Sequence, residues 1–204
     1  MLLNFDYDGV IADSLTALVA IAAQAQGELG LGRSPTAADF AQLENLTFPD
    51  LAQHLGIPVS AIDTYVQRVF QLQHALPPQP LFAGIVPILH HLAQDHTLVV
   101  ITSSQGTAVT AALAHQRLGT VMTAVLGGNL GLTKADRIVQ AQMLTGFDSQ
   151  DTYMIGDAVS DVRQGKAAGV KTAAVTWGFQ SRQRLIAEQP DWICDRPQDL
   201  LALL

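Results

Sequence analysis

The chain has 204 residues, enough for one domain with a sizeable core or one domain carrying a small insertion. Hydrophobic residues make up 49%, above the range of disordered chains, and a net charge of -7 with a pI near 5.1 argues against nucleic acid and anionic lipid as main partners. The single cysteine, Cys194, excludes an intramolecular disulfide and fits a reducing cytoplasm.

The N-terminus, MLLNFDYDGV, has no basic region and does not read as a signal peptide. Leu2 to Phe5 predicts a first buried strand. The longest apolar stretch, Leu15 to Ala23, is interrupted by Thr16 and stops at Gln24. A bilayer span needs about 20 residues, so a soluble, cytoplasmic protein is expected. Residues 14–82 show helical periodicity and little strand signal, punctuated by Ser34-Pro35, Gly56-Ile57-Pro58 and Pro77-Pro78-Gln79-Pro80. They read as a small helical domain inserted into a core made of 1–13 and 83–204. Further strands are expected at Thr97–Thr102, Val121–Leu126 (weaker), Thr152–Ile155 and Thr172–Val175, with Trp192–Cys194 as a short edge strand. Helices are expected at about 84–95, 107–117, 134–145, 158–168 and 181–188, and a last one from Pro197 to Leu204. This alternation predicts an α/β, doubly wound parallel sheet with right-handed crossovers.

Ligands of such sheets bind beyond the carboxyl ends of the strands. Strand one ends in Asp6-Tyr7-Asp8-Gly9, strand two in Thr102-Ser103-Ser104, and strand four in Gly156-Asp157, followed by Asp161. Lys134 opens the helix after strand three. Alone, each piece has a plain structural reading: an Asx turn, a helix cap, a solvated lysine, a strand-to-helix turn. Together they bring four carboxylates, a hydroxyl cluster and one lysine to one edge. Carboxylates sharing a crevice repel one another and call for a divalent cation, and sparse all-oxygen ligation suits Mg²⁺. A carboxylate can attack phosphorus, while a lysine and a metal offset charge on phosphoryl oxygens. Hydroxyls and backbone N–H groups near Gly106 are suited to hold a phosphate.

These residues resemble the haloacid dehalogenase-like hydrolases. FDYDGVIADS is similar to the family's first motif, VVITSSQ to the second, Lys134 in GLTKADRI to the third and YMIGDAVSD to the fourth, in the family's order and across essentially the whole chain. The resemblance implies Asp6 as nucleophile and metal ligand, and Asp8 as general acid, then general base, with its backbone carbonyl on the metal. It implies Thr102 and Ser103 on the phosphoryl group, Lys134 stabilising Asp6 and that group, Asp157 on Mg²⁺, and Asp161 behind it. Asp8 favours phosphate esters, because the true dehalogenases and phosphonate-cleaving members lack this aspartate. The helical insertion matches the family's C1 cap, and the closing stretch from Trp177 looks like phosphoglycolate phosphatases. Three positions depart from the pattern: Asn4 in the first strand, Ala135 after the lysine and Ser103 in the second motif.

A small phosphorylated metabolite is the expected partner, with phosphoglycolate the leading candidate. A phosphosugar mutase and a catalytically silent relative stay open, as do monomer and homodimer. Other features are discounted. His90, His91 and His96 read as helix-end residues, Cys194 as core, and Gly127, Gly128 and Gly131 as a loop rather than a nucleotide motif. Arg182 and Arg184 read as solvated, and the stripe Leu15, Leu18, Val19, Ala22 as packing for the helical insertion.

Overall fold

The run Leu2–Phe5 forms β1, and all four of its side chains are buried. Both of its faces are covered, which is why its sequence does not alternate. The computed structural model describes residues 1–128 and 131–203; Asn129 and Leu130 of the glycine-rich loop, and Leu204 at the end of the last expected helix, lie outside them. The other strands are β2 (Thr97–Ile101), β3 (Ala124–Leu126), β4 (Thr152–Gly156), β5 (Lys171–Val175) and β6 (Trp192–Cys194). All pair in parallel, in the order β3-β2-β1-β4-β5-β6. β1 is central, with Leu3 opposite Leu98 on one side and Tyr153 on the other. The chain order reverses at β1, so the carboxyl ends of β1, β2 and β4 flank the topological switch point.

Four helices follow β1: α1 (Leu15–Leu29), α2 (Ala37–Gln42), α3 (Phe48–His54) and α4 (Val59–Ala75). They close around their own apolar cluster, which includes Leu18, Ala22, Leu51, Tyr65 and Val69. Leu15 and Val19 pack on its edge, so the α1 stripe is core. The sheet is covered on one face by α5 (Ile85–Leu92) and α6 (Gly106–His115), which bury Leu89 and Leu113 against Leu3, Phe5 and Val100. On the other face α7 (Lys134–Thr145) buries Ile138 and Ala141 against Leu2, Val99 and Met154. The helices α8 (Val159–Ala167) and α9 (Arg182–Ala187) pack Val162 and Leu185 on Ala174. Among the described residues no helix is long and apolar enough to cross a membrane.

Two elements differ from expectation. β3 starts at Ala124 because the N–H groups of Val121 and Met122 both turn back to the Leu118 carbonyl. Pro197–Leu203 is a 3₁₀ helix, not an α-helix. Its buried residues, Pro197, Leu200 and Leu203, recur every three positions, which is one full turn of the tighter helix. Asn4 donates from Nδ2 to the Tyr153 carbonyl at 3.1 Å, while its Oδ1 is buried without a partner. The helical unit should be sensitive to cavities. Leu51→Ala, at a fully buried site, is expected to cost about 2–5 kcal/mol in denaturant unfolding; a cost under about 1 kcal/mol would show that this cluster is not close-packed.

Candidate active site

Asp6 leaves β1 with its N–H still on the ladder, bonded to the Ile155 carbonyl at 2.9 Å. Its Oδ1 accepts from the Tyr7 N–H at 2.7 Å, and its Oδ2 from Lys134 Nζ at 2.5 Å. The chain then turns sharply, with the Ile11 and Ala12 N–H groups both on the Tyr7 carbonyl. Gly9 makes this turn at φ +81, where a Cβ would lie 2.1 Å from Asp157 Oδ2, so only glycine fits. The turn presents Asp8 to two hydroxyls. Ser14 Oγ donates to its Oδ1 at 2.6 Å and Ser104 Oγ to its Oδ2 at 2.5 Å.

Beyond β2, the Ser104 N–H donates to Thr102 Oγ1 at 3.0 Å, curling the loop. The buried Arg137 guanidinium donates to the Thr102 carbonyl from behind, and to Leu126 O at 3.4 Å. Ser103 is half-buried and lines the same cavity as Asp6, Asp8 and Thr102.

Lys134 is the first residue of α7. Thr133 caps that helix, accepting from the Asp136 N–H at 3.1 Å while Asp136 bonds back to the Thr133 N–H at 3.0 Å. The ammonium is buried between Asp6 Oδ2 and Asp161 Oδ1, both at 2.5 Å. Burial pulls its pKa down, but the charges of Asp161 and Asp6 outweigh this and hold it above the ordinary value. Asp161 also accepts from the Ala158 N–H at 3.1 Å, capping α8. Gly156 leaves it room, since a Cβ there would lie 2.3 Å from the Asp161 side chain.

Asp157 is fully buried. Its Oδ2 accepts from the Phe179 N–H at 2.7 Å, and its Oδ1 has no partner. Burial, and then the charges of Asp6 and Asp161, push its pKa well above the usual carboxylate range. Burial also lifts Asp161 to about 6 despite Lys134, and lifts Asp8 against the pull of its Ser104 and Ser14 hydrogen bonds. Ligand atoms of Asp6, Asp157 and Asp161 lie within 4.8 Å of one another. A buried orphan carboxylate oxygen in an all-oxygen cluster, with three carboxylates facing one ammonium, fits a hard divalent cation.

The helical unit reaches over this edge. Leu18, Phe40, Leu46, Thr47 and Phe48 line the cavity opposite Asp6 and Asp8. Gln73 of α4 donates from Nε2 to Ser104 Oγ at 2.7 Å and accepts from the Gln105 N–H at 3.3 Å. Gln180 joins the Val159 N–H to the Leu43 carbonyl, at 2.8 and 2.7 Å. Ser14, Gln73, Arg137 and Gln180 were not singled out from sequence. Gln73 carried a signal, because it falls on the buried α4 stripe Ile62, Tyr65, Val69, Gln73, where a polar side chain needs a partner.

Of the discounted features, Leu18 lines the site cavity, while the histidines, Cys194 and the two arginines stay apart from it. His90 and His91 are exposed in the last turn of α5, and His96 lies against the N-terminus. Cys194 is core. Arg182 pairs with Asp195 on the surface. Arg184 corrects its reading as solvated: half-buried, it holds the Ala41 and Leu43 carbonyls and Glu44 of the helical unit.

Known proteins resemble this chain in sequence and in fold. The sequence profile of the haloacid dehalogenase-like hydrolases matches residues 3–175. A phosphoglycolate phosphatase of Synechococcus elongatus is 32% identical over 97% of this chain and 93% of its own. Phosphoglycolate phosphatase 1 of Pseudomonas aeruginosa is 26% identical over 98% and 78%. A haloacid dehalogenase-like family hydrolase from Streptococcus pneumoniae superposes with a TM-score of 0.85 at 22% identity, covering 99% of this chain and 97% of that one. A predicted phosphatase from Clostridium acetobutylicum gives 0.89 at 21%, covering 100% and 98%.

The carboxylate cluster should make stability depend on pH and on a bound cation. Asp157 and Asp161 have folded pKa values above their unfolded ones, so without metal they lose stability as pH rises from about 4. Asp157→Asn should therefore raise the metal-free Tm near pH 7 by roughly 2–4 °C, the response to about 1 kcal/mol; added Mg²⁺ is expected to raise the Tm of the unmodified protein and not that of the variant. Scanning calorimetry with Mg²⁺ or EDTA checks both; an unchanged Mg²⁺ response in the variant would exclude Asp157 as a ligand.

Proposed function

The chain belongs to the haloacid dehalogenase-like hydrolase family, and we propose that it is a magnesium-dependent phosphomonoester hydrolase with Asp6 as nucleophile. One observation carries this reading: Asp6 and Asp8 share a cavity in unlike settings. Asp6 is paired with an ammonium, and Asp8 is held by two hydroxyls in a site whose burial raises its pKa above the ordinary value. Neighbouring carboxylates in contrasting environments divide nucleophilic and acid–base work.

In the proposed reaction an Asp6 oxygen attacks phosphorus and the ester P–O bond breaks. Asp8 gives its proton to the departing alkoxide, and Asp6 carries the phosphoryl group as a mixed anhydride. Asp8, now ionised, takes a proton from a water that attacks the same phosphorus, releasing phosphate and restoring Asp6. Burial keeps Asp8 protonated to higher pH than an ordinary aspartate, as its first task requires; the serine hydroxyls stabilise the ionised form needed for its second. Lys134 fixes Asp6 and offsets phosphoryl charge, and Thr102 and Ser103 receive the phosphoryl oxygens, with Arg137 bracing their loop. Asp6, Asp157 and the Asp8 backbone carbonyl would hold Mg²⁺, with Asp161 behind them. When bound, the cation adds Lewis-acid charge compensation and a template for the phosphate. Residues 14–82 act as the cap over the 1–13 and 83–204 core, excluding bulk water from the mixed anhydride.

Phosphate release from a panel of small esters, with Mg²⁺ and with EDTA, tests this. Turnover should require Mg²⁺. Asp6→Asn should lower kcat by at least about 10³-fold with the fold intact, and Asp8→Asn by about 10²–10⁴-fold. Near-normal Mg²⁺-dependent turnover in Asp6→Asn would contradict the mechanism.

A further inference from the structure

The space between Asp8 and the helical unit has a one-sided chemistry. Its cavity volume is about 40 Å³, or about 420 Å³ when the space open to solvent is counted, and its walls away from the carboxylates and hydroxyls are Leu18, Phe40, Leu46, Phe48 and Phe179. Phe40 and Phe179 meet edge to face, with centroids 6.4 Å apart. Thr47 is the one polar side chain the helical unit contributes, and it is already committed to Asp50 as the N-cap of α3.

None of the chain's eleven lysines and arginines lines this cavity. Only Arg33 and Arg68 lie within 14–82, and both are spent. Arg33 is held by both oxygens of Asp39, at 2.9 and 2.5 Å, and Arg68 by both oxygens of Glu28, at 2.5 and 3.0 Å. On the core side, Lys134 is bound by Asp6 and Asp161, and Arg163 and Arg184 hold Glu44. A carboxylate or second phosphate on the leaving group would enter an apolar wall beside Asp6 and Asp8 with no cation to receive it. Burying such a charge unpaired, near like charges, is heavily disfavoured. An aromatic or branched aliphatic group there would bury its surface favourably.

We propose that the substrate is a phosphate monoester of an uncharged, apolar alcohol, and that Leu18, Phe40, Leu46, Phe48 and Phe179 select it against anionic leaving groups such as glycolate or phosphate. The proposal rests on the phosphomonoesterase reading and sharpens it. It sets this chain apart from its relatives named for phosphoglycolate. It also disfavours a phosphosugar mutase, whose bisphosphate would need a second cationic cradle. A neighbouring cavity shares Asp8 and Leu18 and carries His74 and His115; it is the place where an anionic tail would find potential cations, and the test includes it.

The test compares kcat/KM for benzyl phosphate and isobutyl phosphate with that for phosphoglycolate and pyrophosphate, all with saturating Mg²⁺. The first two leaving groups are alkyl alcohols, like glycolate. The apolar esters should lead by about tenfold or more. Leu46→Arg, at a half-buried position, should lower kcat/KM for benzyl phosphate and raise it for phosphoglycolate. A tenfold preference for phosphoglycolate or pyrophosphate that is lost in Asp6→Asn would overturn the apolar substrate and leave the phosphatase standing; loss of that preference in His74→Ala would place the anionic tail in the second cavity. Unchanged selectivity in Leu46→Arg would remove this wall as its source. Release from none of the esters, by a folded protein that binds Mg²⁺, would overturn both readings.

Discussion

The balance of charge around one buried ammonium governs the whole site. Lys134 sits between Asp6 and Asp161, out of reach of bulk water, where an ion pair is sustained only if its geometry is good and the remaining polar atoms are bonded. Asp161 meets that demand through the α8 cap and Asp6 through the Tyr7 N–H. Asp157 does not, and one of its oxygens stays orphaned. Three carboxylates against one lysine leave an excess of negative charge that a protein alone does not hold cheaply. The same excess suits the edge to a divalent cation. The backbone bends to permit it: Gly9 and Gly156 stand where any side chain would strike Asp157 or Asp161.

The helical unit is tied to the core by amides, through Gln73 and Gln180, and by charges, through Arg163 and Arg184. Gln73 and Gln180 each use both ends of the side chain to span between helical unit and core, one at the loop after β2 and one at the start of α8. Neutral hydrogen bonds of this kind contribute about 1 kcal/mol each. In the proposed reaction such bonds would hold a cover in place and let it lift to admit an ester and release an alcohol. Gln73 also connects that cover to chemistry. Its donation fixes the Ser104 hydroxyl, which in turn donates to Asp8, so the position of α4 is felt at the proposed acid–base group.

Sequence reasoning located the strands and their carboxyl ends, because a buried parallel strand writes itself as a short apolar run and the candidate site residues follow directly. Asp6, Thr102, Lys134 and Asp157 each sit within one or two residues of an element boundary. What stayed illegible lies across long sequence separation. Nothing in the string places Gln73 against Ser104, or Arg137 against the Thr102 carbonyl, because those contacts follow from how separate elements pack. The same holds for the cavity wall, whose five apolar residues come from α1, α2, α3, the loop before α3 and the loop after β5. The final 3₁₀ helix escaped for a local reason: apolar residues three apart fit either helix type.

The central claim is that the phosphoryl group is carried on Asp6. Reductive trapping tests it most directly: the protein is quenched during turnover of a hydrolysed ester in Mg²⁺ and treated with borohydride, which converts an acyl phosphate to a primary alcohol. The account predicts that peptide mass spectrometry will find the acid-to-alcohol change at Asp6, only when ester and Mg²⁺ are both present. Sustained turnover with Asp6 unmodified, or with the change at another carboxylate, would contradict it.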